Sequence, residues 1–265
     1  MRSSRAVATG PHAAIYSVAC ADEHAGWSAP EAGESVQVVL VRRGRFRRAV
    51  RGRAFTVDPT MGYLDAPGVE QRFAHPAGGD VCTAVTFDGD ALAADPWLAA
   101  AVRAGRQAVR VDGRLELAHR RLARTGADPE YAAAEAVVEL LALAVRRSPD
   151  DAAPAPGRAR LAERAREAIV SGAPAARDLV GLARSLEASP SHLSRTFRHH
   201  VGMTVSRYRN RVRVSRALER IAGGETDLAG LAAALGFSDQ AHLGRTLRRE
   251  LGHTPGRVRE LLGAR

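Results

Sequence analysis

The chain contains no lysine: all 39 of its Lys-plus-Arg residues are arginine, set against 29 acids. Cysteine is nearly as scarce. Cys20 and Cys82 are too few for a disulfide framework, and neither has the CxxC partner of a structural zinc site, so both read as buried reduced thiols. No apolar run approaches the roughly 18–20 uncharged residues that cross a bilayer. The opening Met1-Arg-Ser-Ser-Arg5 leads into no apolar stretch of the signal type. A cytoplasmic protein with no membrane partner is the expectation.

What is present points to a folded chain. With 265 residues, 45% hydrophobic and 26% charged, it has the profile of a globular protein long enough for two domains. The formal charge of +10 becomes informative once it is located. Residues 1–157 hold 19 Arg and 19 acids, and residues 158–265 hold 20 Arg and 10 acids. The whole excess therefore lies in the C-terminal part, which reads as a polyanion-binding module joined to a neutral one. A basic surface that is merely solvated is the plainer alternative.

Between Arg146 and Gly157 the stretch RRSPDDAAPAPG has no periodicity and three prolines, so a linker is placed at 148–157, between domains 1–147 and 158–265. Before it, short runs alternate with turn signals: Ile15 to Ala19, Val36 to Val41, Phe46 to Val50, Ala54 to Val57, Val69 to Phe73 and Val81 to Phe87. Strands at that spacing predict a small antiparallel barrel or sandwich. From about 95 to 124 and 129 to 147 the apolar spacing becomes three and four, which predicts helices, the second started by Asp128-Pro129-Glu130. The C-terminal part reads as helical throughout, beginning with a helix over Arg158 to Val170. The fold class is α+β.

The helical part contains one unit twice, from Asp178 to Met203 and from Asp227 to His253, with matching acidic starts, apolar positions and closing glycines. Each copy predicts helix, tight turn, helix. In the first, Asp178 caps a helix with Leu179, Leu182, Ala183 and Leu186 on its apolar face, and Ser189-Pro190 starts the next. In the second, Leu228, Leu231, Ala232 and Leu235 take those roles, Gly236 ends the helix and Ser238 starts its successor. The second helices bury Leu193 with Phe197 and Leu243 with Leu247.

That arrangement leaves Ser191, His192, Ser194, Arg195 and Arg198 open in one copy, and Asp239, Gln240, His242, Arg245, Arg248 and Arg249 in the other. A helix entering the major groove brings its first turns nearest the bases, where Arg can fork onto guanine and Gln can pair adenine. Arginines further along meet phosphates. An exposed Arg is often only solvated; Arg195 and Arg245, equivalent in both copies, are the strongest candidates for base contact. Between the copies, Thr204 to Ala222 spans about 28 Å as one helix, close to the ~34 Å between successive major-groove faces. This bridge buries Val205, Tyr208, Val212 and Leu218, and its arginines Arg207, Arg209, Arg211, Arg213 and Arg216 reach phosphates or pair with acids.

These residues resemble the AraC/XylS family of transcription regulators. The segment Leu231 to Leu261, with Gly236-Phe237, Gln240, Arg245, Arg248, Gly252 and Thr254-Pro255, resembles the family's signature around its second helix-turn-helix. Ser189 to Gly202 and Arg211 to Leu218 resemble its first unit and bridge. Leu243 and Leu247 depart from the usual aromatics, and Gly244 offers no side chain. The resemblance implies double-stranded DNA as partner, a cupin-like sensor barrel in the N-terminal half, a small-molecule effector there, a homodimer interface on residues 95–147, contact with RNA polymerase, and activation or repression of transcription. Metal-binding cupins carry a His-x-His pair with a Glu and a later His. Here His24 and His75 stand isolated, so the barrel is read as metal-free, with no cofactor and no catalytic residue. Two other readings remain, a cupin enzyme with a DNA-binding tail and an architectural or RNA-binding module.

Overall fold

The computed structural model describes residues 2–10, 12–21, 24–94, 96–124, 135, 138–139, 141–145 and 156–263. The expected helix start at Asp128-Pro129-Glu130 and most of the expected linker lie outside the described residues. The chain is α+β, and it divides into two compact units: Met1–Ser148 together with Val214–Arg265, and Pro149–Arg213.

Among the described residues of the first unit, ten strands form two antiparallel sheets. They are β1 (Arg2–Thr9), β2 (Ala13–Cys20), β3 (Glu31–Ala32), β4 (Val36–Arg43), β5 (Phe46–Val50), β6 (Arg53–Val57), β7 (Met61–Asp65), β8 (Glu70–Ala74), β9 (Asp80–Phe87) and β10 (Ala108–Arg110). One sheet runs β1-β2-β9-β4-β7-β10 and the other β3-β8-β5-β6. The period-2 alternation of side chains explains the layers. On β4 and β9, Val39, Val41, Cys82 and Ala84 face Phe46 and Val57 of the smaller sheet and build the core between the sheets. Their neighbours Val38, Leu40, Val85 and Phe87 point the other way, onto α2 (Pro96–Arg103) and α3 (Gly113–Leu122), where Leu98, Leu115 and Leu122 are buried; α1 (Gly89–Ala94) precedes them in the chain. The larger sheet is thus covered on both faces.

Several expectations need correcting. The stretch 95–124 is not helical throughout: β10 pairs antiparallel with β7, Val109 opposite Gly62. Backbone bonds from Leu64 to Gln107 and from Val111 to Thr60 complete that edge. Tertiary pairing here overrides an Ala- and Arg-rich composition. Strand β7 carries no alternation signal, because all five residues of Met-Gly-Tyr-Leu-Asp are buried. At its second position a Cβ would lie 2.4 Å from the carbonyl oxygen of Val39, so only glycine lets β4 come that close. Its entry is an Asx turn, with Asp58 accepting from the Thr60 N–H at 2.7 Å. Strand β1 is an edge strand whose side chains are largely exposed, and it gives little hydrophobic signal.

The first unit also contains the second repeat: the C-terminal end of α7 (Val205–Ala222), α8 (Leu228–Ala234), α9 (Gln240–Leu251) and α10 (Pro255–Leu261). Leu117 of α3 joins the core formed by Val214, Leu218, Ile221, Leu231, Leu243, Leu247 and Leu251. Buried Arg120 ties the same region together, bonding Glu116, the carbonyl of Arg42 and, at 3.2 Å, the hydroxyl of Ser215. Gly113 meets α9 so closely that a Cβ there would lie 2.2 Å from the carbonyl of Glu250.

The second unit holds α4 (Pro156–Ser171), a 3-10 turn at Pro174–Arg177, α5 (Leu179–Ser185), α6 (Pro190–Val201) and the start of α7. Helix α4 begins two residues before the expected Arg158. Its core is Ala162, Ala165, Ile169, Leu182, Leu193, Phe197, Val201, Tyr208 and Val212. Arg166 is buried across the Tyr208 ring and paired with Glu163 at 2.9 Å.

Candidate DNA interface

Each repeat builds its helix pair from local signals. In the first, Asp178 accepts the Gly181 N–H at 2.7 Å and caps α5. Glu187 then takes a left-handed conformation with φ 56°, and Ser189 caps α6 by accepting the His192 N–H at 3.2 Å. In the second, Asp227 caps α8 and Gly236, at φ 73°, takes the left-handed position. The cap of α9 is Asp239, not the expected Ser238. Its carboxylate accepts the His242 N–H at 2.6 Å, while Ser238 donates to the other oxygen at 3.1 Å. The second turn is one residue longer, which moves the cap one position along. The backbone bond from His242, then the Ser238 hydroxyl, hold the Asp239 carboxyl below the usual range.

Both second helices end on a left-handed glycine, Gly202 at φ 72° and Gly252 at φ 80°. A threonine then caps the following helix in each copy, Thr204 for α7 and Thr254 for α10.

The buried positions of α6 and α9 match residue by residue. Leu193, Thr196, Phe197 and Val201 are buried in one; Leu243, Thr246, Leu247 and Leu251 are buried in the other. The opposite face of α6 exposes Ser191, His192, Arg195 and Arg198, with Ser194 half-buried at its margin. On α9, Gln240, Arg245, Arg248 and Arg249 are exposed. Asp239 is exposed too, but both carboxylate oxygens already accept hydrogen bonds, one from the capped His242 N–H and one from the Ser238 hydroxyl. His242 is half-buried, its Nδ1 3.1 Å from the Ser238 hydroxyl and its ring edge-on to Phe237 at 5.3 Å. Arg249 lies 3.1 Å from Glu250.

The sequence reading omitted His199 from this face, although it is exposed and occupies the position of Arg249 in the other copy. The repeat alignment was the signal that could have found it. Two other assignments change. Leu179, expected on an apolar face, is 36% exposed, because α5 is short and its first residue overhangs the core. Arg211, expected to reach a phosphate or pair with an acid, is buried.

In the sheet region, His24 and His75 are not isolated. They form a backbone bridge, with His75 Nδ1 3.1 Å from His24 Nε2. Elsewhere between the sheets, buried Arg48 donates to Gln71 at 2.6 Å and lies 3.3 Å from Asp65, its guanidinium over the Tyr63 ring. A groove of about 540 Å³ opens beside the β5–β6 turn and the start of β8, lined by Val50, Arg51, Val69, Glu70 and Arg72. Among the described residues no helix is long and apolar enough to cross a membrane.

Comparison with known proteins agrees with the repeated helical geometry. Residues 182–261 match a family model described as a helix-turn-helix domain. The transcriptional activator RhaS of Escherichia fergusonii is 32% identical over 68 residues, 26% of this chain and 24% of that protein. RhaS of Pectobacterium atrosepticum is 33% identical over 79 residues, 30% of this chain and 28% of that protein. The chain thus spans about a quarter of the length of the curated relatives it matches. Among solved structures, a DNA-binding transcriptional dual regulator from Escherichia coli K-12 is 23% identical, covering 40% of this chain and 94% of that one with a TM-score of 0.36. The segment that carries both repeats is thus similar to the helix-turn-helix domains of transcription regulators.

Proposed function

We propose that this protein is a sequence-specific transcription regulator that binds double-stranded DNA through the exposed faces of α6 and α9. The supporting observation is the shared register of the two helices: Arg195 and Arg245, and again Arg198 and Arg248, are exposed above equivalent buried leucines and threonines. Early in each helix stand the candidates for base edges, Ser191, His192, Ser194 and Arg195 in the first copy and Gln240, His242 and Arg245 in the second. Arg198, Arg248 and Arg249 lie further along and suit phosphates. Asp239 acts here as a helix cap, not a base reader.

In this reading the neutral, sheet-bearing half is the sensor and performs no catalysis. A small-molecule effector or protein partner acts by binding one arrangement of the chain better than another, which is the only way it can alter DNA affinity. The protein works in the cytoplasm, self-associates through helices of its N-terminal half and touches RNA polymerase. Selection of bound duplexes from a random pool tests the central claim. A recurrent motif with two contact tracts is the expected result. Equal affinity for all duplexes, with binding lost steeply as salt rises, would replace it with an architectural role.

A further inference from the structure

At one end of the β2–β9 ladder, segments distant in the chain bring a thiol, an imidazole and a carboxylate together. Cys20 of β2 stands directly opposite Asp80 of β9, so the two side chains share a face of the sheet. His75, just past β8, places its Nε2 3.1 Å from Asp80 Oδ1. One ligating atom from each of Cys20, His75 and Asp80 lies within 4.8 Å of the others. His75 and Asp80 are buried at 9% and 5% exposure, and Cys20 is partly open. The other oxygen of Asp80 accepts the Cys82 thiol at 3.0 Å, which fixes the carboxylate's orientation.

The hydrogen bonds around the two histidines determine where electron pairs point. His24 Nδ1 lies 2.8 Å from the carbonyl of Gly26, and a carbonyl only accepts, so that nitrogen carries a proton. In neutral His24 the lone pair is then on Nε2, facing His75 Nδ1 at 3.1 Å, which must donate. Neutral His75 therefore turns the lone pair of its Nε2 to the side of Asp80. Asp80 Oδ1 is itself buried without a hydrogen-bond partner. An imidazole nitrogen, a buried carboxylate oxygen and a thiol whose ligating atoms lie within 4.8 Å of one another make the donor set of a cation site.

We propose that Cys20, His75 and Asp80 bind one divalent transition-metal ion of the zinc class, with His24 holding His75 in the ligating tautomer. A sulfur, nitrogen and oxygen donor set disfavours Mg²⁺ and Ca²⁺ and suits Zn²⁺, and three protein ligands leave a fourth position for water or an incoming group. Zinc bonds of about 2.0–2.3 Å put tetrahedral ligand atoms roughly 3.3–3.8 Å apart, so a closure of about 1 Å completes the sphere. Binding displaces the Cys20 thiol proton to solvent. The His-x-His rule missed this set because its donors come from three separate segments. The inference is independent of the DNA-binding reading, since it concerns only the sheet region.

The test uses the full chain, reduced, treated with chelator and titrated with Co²⁺. One equivalent should bind, giving visible bands of a four-coordinate site and a thiolate-to-cobalt charge-transfer band, all displaced by Zn²⁺. Cys20→Ser and His75→Gln should abolish the charge-transfer band, and Cys82→Ala should keep it. His24→Gln should retain the stoichiometry with affinity 10- to 100-fold weaker. Tryptophan fluorescence checks the folding of each variant; if His75→Gln unfolds, the partly exposed Cys20→Ser decides alone. Failure to take up one equivalent of Co²⁺ overturns the proposal. So does a spectrum that survives Cys20→Ser, which would point to adventitious uptake at a surface set such as His12, Asp88 and Asp90.

Discussion

The two helix-turn-helix copies have the same plan and different supports. The first is held in its unit by α4, whose Ala162, Ala165 and Ile169 pack beneath Leu193 and Phe197. The second shares its unit with the sheets and takes Leu117 of α3 into its core. Their turns differ as well. The first accepts a left-handed Glu187 where the second uses Gly236, and the first is capped by a serine where the second uses Asp239. A duplicated recognition unit therefore keeps its buried pattern and its arginine register, while the scaffold beneath it and the chemistry of its turn are free to diverge.

Core truncation should separate the copies most strongly. Phe197 is fully buried, edge-on to Tyr208 at 5.3 Å, and Phe197→Ala should cost about 3–5 kcal/mol. Both tryptophans, Trp27 and Trp97, belong to the first unit. Urea unfolding of this variant should therefore lower the circular-dichroism transition and leave the tryptophan transition in place. Leu247→Ala, expected to cost roughly 2–5 kcal/mol, should lower the tryptophan transition instead.

Acid should act on the unit that carries the second copy. His119 of α3 is fully buried, and desolvation, then the nearby Arg120 and Arg42, push its pKa well below the ordinary value. Unfolded chain takes up that proton near pH 6.5 and folded chain does not, so stability should fall as pH drops from about 7 to 5. His119→Leu should flatten the slope of the tryptophan-reported stability against pH.

On DNA, Arg195→Ala and Arg245→Ala should each weaken specific binding by roughly 1–3 kcal/mol and relax discrimination at one base pair. A uniform loss across sequences with a shallower salt dependence would demote that arginine to phosphate positioning. The smallest effect concerns the turns. Glu187→Gly should stabilise the second unit by roughly 0.5–1 kcal/mol by relieving its left-handed strain, and Gly236→Ala should destabilise the first by about 1 kcal/mol. Equal and opposite shifts in thermal midpoint would show that the two turns demand the same backbone.

Much of the candidate interface was legible because its signals are local. Leu193, Phe197, Leu243 and Leu247 recur at helical spacing, Ser189-Pro190 announces a helix start, and the duplication aligns Arg195 with Arg245. The misreadings arose where local signals tie or vanish. Ser238 and Asp239 are both good caps, and only the path of the turn selects the aspartate. Strand β7 is buried on both faces and carries no alternation, and β10 is a strand only because β7 lies beside it.

By itself the sequence determined that this is an α+β chain with a basic, duplicated helix-turn-helix segment, because helix periodicity, capping residues and charge location are properties of neighbours along the chain. Tertiary structure alone decided which body holds the second copy, how Arg120 links Arg42 to Ser215, and that Cys20, His24, His75 and Asp80 meet. Such contacts join residues tens of positions apart, and their geometry follows from strand register and packing, which leave no mark at any single position.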